Sequence, residues 1–246
     1  MARTDMSIIK HMIVTAVFLG LFAVVGTAIV ALTYIGTESQ IAENERQALL
    51  KSLHVLIPSE LHDNDIPNDT IHVTAENLLG SSKPVAVYRA RKQGKAIAVV
   101  LAPTAPDGYN GDIKLLIAIA TNGELMGVRV ITHRETPGLG DSIEIARSDW
   151  IKGFDGKSLQ NPGGLGWRVR KDGGDFDQFT GATITPRAIV KAVHKSLQYF
   201  NLNKQALLAS NAIDVPNNIS HNYKIHKDDN KQTSTQITDK HKEPKL

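Results

Sequence analysis

The sequence predicts an α+β protein: a single N-terminal transmembrane helix followed by one mostly antiparallel domain. Three observations carry this. An uncharged, largely apolar run extends from Met12 to Thr37. Two pairs of β-rich segments flank the turn dipeptides Gln93-Gly94 and Asn122-Gly123. Towards the C-terminus, Ile189, Val193, Leu197 and Phe200 recur at the spacing of one helix face.

Residues 12–35 form the core of the apolar run, dominated by Ile, Val, Leu, Ala and Phe. As a helix rising about 1.5 Å per residue they reach about 36 Å, enough to cross a hydrocarbon layer of about 30 Å with some tilt. A cleaved secretory signal is the competing reading, and Gly26-Thr27-Ala28 offers small residues for it. Cleavage there would fall inside the apolar run, which also exceeds a usual signal core. The expectation is an uncleaved anchor in the lipid bilayer. Arg3 and Lys10 lie closer to the run than Arg46 and Lys51 on its other side. That places residues 1–11 in the cytoplasm and the bulk of the chain outside it, which in a Gram-negative bacterium means the periplasm, as a single-pass protein of the inner membrane. Ala16 and Gly20 make one small-xxx-small pair, a weak signal for a helix partner.

Beyond the anchor, Glu38 to Leu56 fits an amphipathic helix with Ile41, Leu49, Leu53 and Leu56 as its apolar positions, ended by Pro58. Ser59 to Thr70 is polar, contains Pro67, and is expected as a loop. Val85–Arg91 and Ala96–Leu101 make a first hairpin, Ile113–Ala120 and Leu125–Thr132 a second. A short helix is expected around Ile143–Ile151, and a longer one over Ala188–Phe200. One domain over residues 38–205 accounts for these elements. Residues 206–246 form a polar basic tail. From Asn217 onward it has too few apolar residues to order itself, and its His221, His226 and His241 lack a metal-site spacing.

Composition narrows the chemistry. The 246 residues include no cysteine, which excludes disulfides, Cys-ligated zinc or iron–sulfur centres and a thiol nucleophile. A formal net charge of +3 is too small to point to nucleic acid. The charge is also unevenly placed: six Lys against four acids lie in residues 217–246, and residues 36–216 are formally neutral.

Two segments stand out. His133-Arg134-Glu135-Thr136-Pro137-Gly138-Leu139-Gly140 follows the second hairpin. Its Pro-Gly turn and paired glycines suit either a plain strand-end turn or a loop that brings backbone close to a ligand. Asp177-Gln178-Phe179-Thr180-Gly181-Ala182-Thr183-Ile184-Thr185-Pro186 precedes the long helix, with Thr185 as expected N-cap and Pro186 at the first helical position. Thr183 then stands just before a helix N-terminus, where free N–H groups and the helix dipole favour a phosphate. An ordinary capped turn explains the same residues. Gly163-Gly164-Leu165-Gly166 is no dinucleotide fingerprint, and Trp150, Trp167 and Phe176 are expected in the core.

The stretch KDGGDFDQFTGATITPRAIV (Lys171–Val190) resembles the flavin-attachment segment of the membrane-anchored FMN-binding subunits. That family includes the G subunit of the Rnf/Rsx electron-transport complex and the C subunit of the sodium-pumping NADH:quinone reductase. Its pattern, Asp followed three positions later by Ser/Thr-Gly-Ala-Thr, matches Asp177 and Thr180-Gly181-Ala182-Thr183. HRETPGLGD resembles the family's second signature loop, and Thr104–Ile119 is similar to the Rnf/Rsx G subunit in particular. The resemblance covers most of residues 1–205 and leaves the tail out.

It implies that the domain binds FMN, covalently, through a phosphoester on Thr183, which makes the chain a phosphoprotein. Thr180, Gly181, Ala182 and Asp177, with His133, Glu135, Thr136, Gly138, Leu139 and Gly140, are the further cofactor-site residues it implies. It implies maturation by a separate flavin transferase, other subunits of a membrane complex as partners, and a redox role that is not catalytic alone. Such complexes link ferredoxin and NAD chemistry to ion translocation, or reduce a redox-sensing regulator. The rival expectation is a membrane-tethered binding or assembly module whose Thr183 stays unmodified. Thr183 as a hydrolytic nucleophile lacks support, because neither His133 nor His194 has a triad spacing.

Overall fold

The computed structural model describes residues 2–209. The expected tail starts too early, because residues 206–208 continue the C-terminal helix with Leu207 buried. The rest of the tail, with its three histidines, lies outside the described residues. Helix α1 (Ala2–Leu56) is continuous. The expected anchor and the expected amphipathic helix are therefore one rod of roughly 80 Å. It is long and apolar enough to cross a membrane, and its side chains from Met12 to Ile35 face outward without protein partners. Among its described side chains, the buried ones lie in its last turns. Leu53 and Leu56, with Ile57, pack under the sheet, whereas Ile41 stays exposed. Ile57 still donates to the Leu53 carbonyl at 2.8 Å, and Pro58 stops the helix.

Six strands form one antiparallel sheet: β1 (Thr70–Val73), β2 (Val85–Lys92), β3 (Lys95–Leu101), β4 (Thr104–Ala105), β5 (Ile113–Ala120) and β6 (Leu125–Thr132). A one-turn helix, α2 (Glu76–Leu79), joins β1 to β2. β1 is an edge, followed by β2, β3 and β5, with β6 on the far side of β5. The short β4 pairs with the start of β5 on the same side as β3. Both predicted hairpins are present with their turns in place. β1 and β4 are additional, too short to show a period of two.

Alternation along the strands loads both faces. Val87, Val99, Leu101, Leu115, Ile117 and Ile119 point to one side, where α3 (Ile184–Leu208) covers them with Ile189, Val193, Leu197 and Phe200. Each of these fully buried side chains stabilises by about 1.5–3 kcal/mol over exposure. Ala90, Ala98, Val100, Leu116 and Ala118 point to the other side, onto the end of α1. Small alanines there let the helix approach. Gly127 of β6 does the same, since a Cβ on it would lie 2.8 Å from Leu56 Cδ2.

Between β6 and α3 the chain folds with little regular structure. The expected helix at Ile143–Ile151 is instead two 3-10 turns, Gly140–Ile143 and Asp149–Phe154. Ser148 separates them: its hydroxyl donates to the Ser142 carbonyl at 2.7 Å and accepts from the Trp150 N–H. An aromatic cluster then closes the domain. Phe154 stacks on Phe176 at 4.7 Å, and Trp167 stacks on His194 of α3 at 5.4 Å and 4° between planes. Trp167 and Phe176 are core residues, as expected, whereas Trp150 is only partly buried at the edge of that core.

Candidate functional site

Helix α3 begins two residues earlier than the Thr-Pro signal indicates. Thr183 is its N-cap and Thr185 its second residue. The reason lies in Thr185, which is buried at 1% exposure and donates its hydroxyl to the Glu135 carboxylate. A side chain so engaged cannot cap its own helix. Thr183 is half-buried, in helical conformation, and its hydroxyl makes no capping bond. The backbone N–H groups of Ile184 and Thr185 have no acceptor among the described residues. Pro186 contributes none. The positive end of α3 is therefore open beside the Thr183 hydroxyl.

The His133–Gly140 loop forms the neighbouring wall. Thr136 O accepts from the N–H groups of Leu139 (3.1 Å) and Gly140 (3.0 Å), and Asp141 accepts from the Gly138 N–H at 2.8 Å. Gly138 adopts φ +79°, which favours glycine, and holds Leu139 outward at 45% exposure. Leu139 meets the α3 segment directly: a Cβ on Gly181 would lie 3.7 Å from Leu139 Cδ2. Ile184, 44% exposed, adds a second apolar side chain at the helix start. Behind this surface, His133 accepts the Glu135 N–H at Nδ1 (3.0 Å), which leaves Nε2 to donate to Glu144 at 2.6 Å.

The two sequence segments thus meet at one place, but their residues divide. Thr136, Gly138, Leu139, Thr180 and Gly181 are exposed, and Ala182 and Thr183 half-buried. Glu135 and Gly140 are buried beneath them. Asp177 lies apart, at the outer end of the segment. Its carbonyl accepts from Trp150 Nε1 at 2.8 Å, and its exposed carboxylate pairs with Arg170 at 2.9 Å. Trp150 also packs edge-on against Phe179 at 5.2 Å, so the indole fixes the segment from two sides. Arg187 makes a two-point bond to Asp172, at 2.6 and 2.9 Å, which holds that carboxyl below the usual range. The site roles of Trp150 and Thr185 escape sequence reasoning because each acts across a long chain separation, 27 and 50 residues. Glu144 and Asp141 act more locally, on His133 and Gly138, through bonds that no residue spacing announces. Asn110, in the stretch that carries the resemblance, is tied in too: its side chain donates to the Arg134 carbonyl at 2.7 Å.

Comparison with known proteins adds the decisive observation. Residues 3–56 match the model of the RnfG N-terminal region, and residues 108–198 match that of the FMN-binding domain. The G subunit of an ion-translocating oxidoreductase complex from Pseudomonas aeruginosa is 52% identical over 200 residues, 81% of this chain and 94% of the relative. The chain belongs to the G-subunit family of ion-translocating oxidoreductase complexes. Further members of that family include the G subunit from Shewanella loihica, 48% identical over 82% of this chain and 93% of its own. The Vibrio cholerae G subunit is 48% identical over 77% and 90% respectively.

The FMN-binding domain runs from the β4–β5 loop to the middle of α3 and so contains the whole site. Its geometry suits a cofactor that ends in a phosphate. An uncommitted hydroxyl and two open N–H groups stand at a helix N-terminus, and Gly181 beside them keeps the backbone free of a side chain that would contact Leu139. Leu139 and Ile184 offer apolar cover for a ring system.

Proposed function

We propose that this chain is the electron-transferring subunit of a membrane-bound, ion-translocating oxidoreductase complex, and that it carries FMN as a phosphoester on Thr183. The observation that carries the reading is the free Thr183 hydroxyl at the open N-terminus of α3, inside a domain matched as FMN-binding. The open N–H groups of Ile184 and Thr185 would hold phosphate oxygens there, with the helix dipole favouring the charge. Leu139 and Ile184 would shield the adjoining part of the cofactor from water. The bound flavin supplies the redox chemistry, and the protein fixes where that chemistry happens. A chain without cysteine has no thiol with which to share that task.

Attachment is the work of a separate flavin transferase that uses FAD. The Thr183 Oγ1–phosphorus bond forms, the FAD pyrophosphate bond breaks, the hydroxyl proton is lost and AMP leaves. Asp177, Gln178, Thr180 and Gly181 are exposed where such an enzyme can reach them, and Trp150 and Arg170 hold the stretch in one shape. The other subunits of the complex are the partners in electron transfer. Arg3 and Lys10, close to the apolar run, support a cytoplasmic N-terminus and a periplasmic domain.

The test is direct. Co-expression of the full chain with its flavin transferase should give a denatured gel band that fluoresces under ultraviolet light. The intact mass should rise by one FMN less water, and Thr183→Ala should abolish both signals. A dark wild-type band of unmodified mass would overturn the reading in favour of a tethered binding module.

A further inference from the structure

Glu135 is a buried carboxylate with no basic side chain in ionic contact among the described residues. It is 4% exposed. One oxygen accepts the Asn110 backbone N–H at 3.0 Å, the other the Thr185 hydroxyl. Two glycines make room for it: a Cβ on Gly108 would lie 3.1 Å from Oε1, and one on Gly140 2.9 Å from Oε2. Three segments distant in sequence are thereby closed around a single side chain. Burying such a group is costly unless its oxygens are hydrogen-bonded, and bonds to a charged acceptor are roughly twice as strong as neutral ones. An apolar residue would fill the space without that cost, so the carboxylate answers to something other than packing.

We infer that Glu135 is a positioning residue for the Thr183 site: through Thr185 it fixes the first turn of α3, and through its own backbone and Asn110 it fixes the wall that carries Thr136 and Leu139. It does this without presenting its carboxylate to a ligand, because both oxygens are engaged by the chain itself. The consequence for flavin attachment rests on the reading of Thr183 given above; the positioning does not. Loss of either partner should let the loop and helix move independently while the sheet stays intact.

The experiment has two arms, both on the full chain in detergent. In unflavinylated protein, Glu135→Gln and Thr185→Val should each speed amide hydrogen exchange at Leu139 and Gly140 by tenfold or more. Ile117 and Val128 in the sheet should exchange as in wild type. Thr185→Ser, which keeps the donor, should restore slow exchange at the loop. In the second arm, purified flavin transferase and FAD are added and in-gel fluorescence gives the initial rate. Glu135→Gln and Thr185→Val should each slow it tenfold or more, Thr185→Ser should stay within twofold of wild type, and the double variant Glu135→Gln/Thr185→Val should be no slower than the slower single one. Unchanged loop exchange in both Glu135→Gln and Thr185→Val, or a Thr185→Ser as impaired as Thr185→Val, would overturn the inference. A wild-type protein that takes up no flavin would instead sink the Thr183 reading and leave the exchange arm to decide.

Discussion

Gly140 and Gly138 look alike in the sequence and are required for different reasons. Gly140 is required for space: a Cβ there would lie 2.8 Å from Glu135 Cβ and 3.0 Å from Thr185 Oγ1. Gly138 has open space around it but a positive φ. Gly140→Ala should therefore push loop from helix and destabilise by about 1–3 kcal/mol, as overpacking does. Calorimetry should show the lowered melting temperature, and flavin incorporation should fall with it. Gly138→Ala should cost about 1 kcal/mol or a little more through backbone strain alone. The sequence marks both positions as glycines a ligand loop uses, and it marks Glu135 as one of the same group. Only the fold separates the outward Thr136 and Leu139 from the inward Glu135 and Gly140, because that depends on Thr185, fifty residues away.

Helix α3 ties the site to the core and brings a pH dependence with it. His194 stacks on Trp167, and burial pushes its pKa below the ordinary value. Below the unfolded value of about 6.5 the unfolded chain binds a proton that the folded one resists, so stability falls as pH drops from about 7 to 5. Above that range both states are neutral and the effect vanishes. The melting temperature of His194→Gln should drop less over this interval than that of wild type; an equal drop would assign the dependence to other groups. The elements themselves were legible to different degrees. Both hairpins follow from turn dipeptides and alternation, which are local signals. The start of α3 does not, since Thr185-Pro186 makes a good helix start until a distant carboxylate claims the threonine. The paired 3-10 turns are equally hidden, because Ser148 interrupts a helical pattern with bonds in both directions.

For the molecule as a whole, the charge distribution divides what the average composition blurs. A formally neutral domain stands between a membrane-entry end and a basic C-terminal region. A reporter fused after Leu246 should be active only on the non-cytoplasmic side of the membrane; cytoplasmic activity would reverse the proposed orientation. One further property follows from the unbroken α1, which leaves the apolar segment and ends packed under the sheet at Leu53 and Leu56. Because the helix is unbroken, helical phase sets the bearing of the Thr183 face relative to the apolar segment. A single residue inserted in the stretch between Gly36 and Ala48 would rotate the domain by about 100° and lift it by about 1.5 Å. Seven inserted residues would return it to nearly its original bearing, about 10 Å higher. Which way the flavin points thus depends on a count of residues far from it.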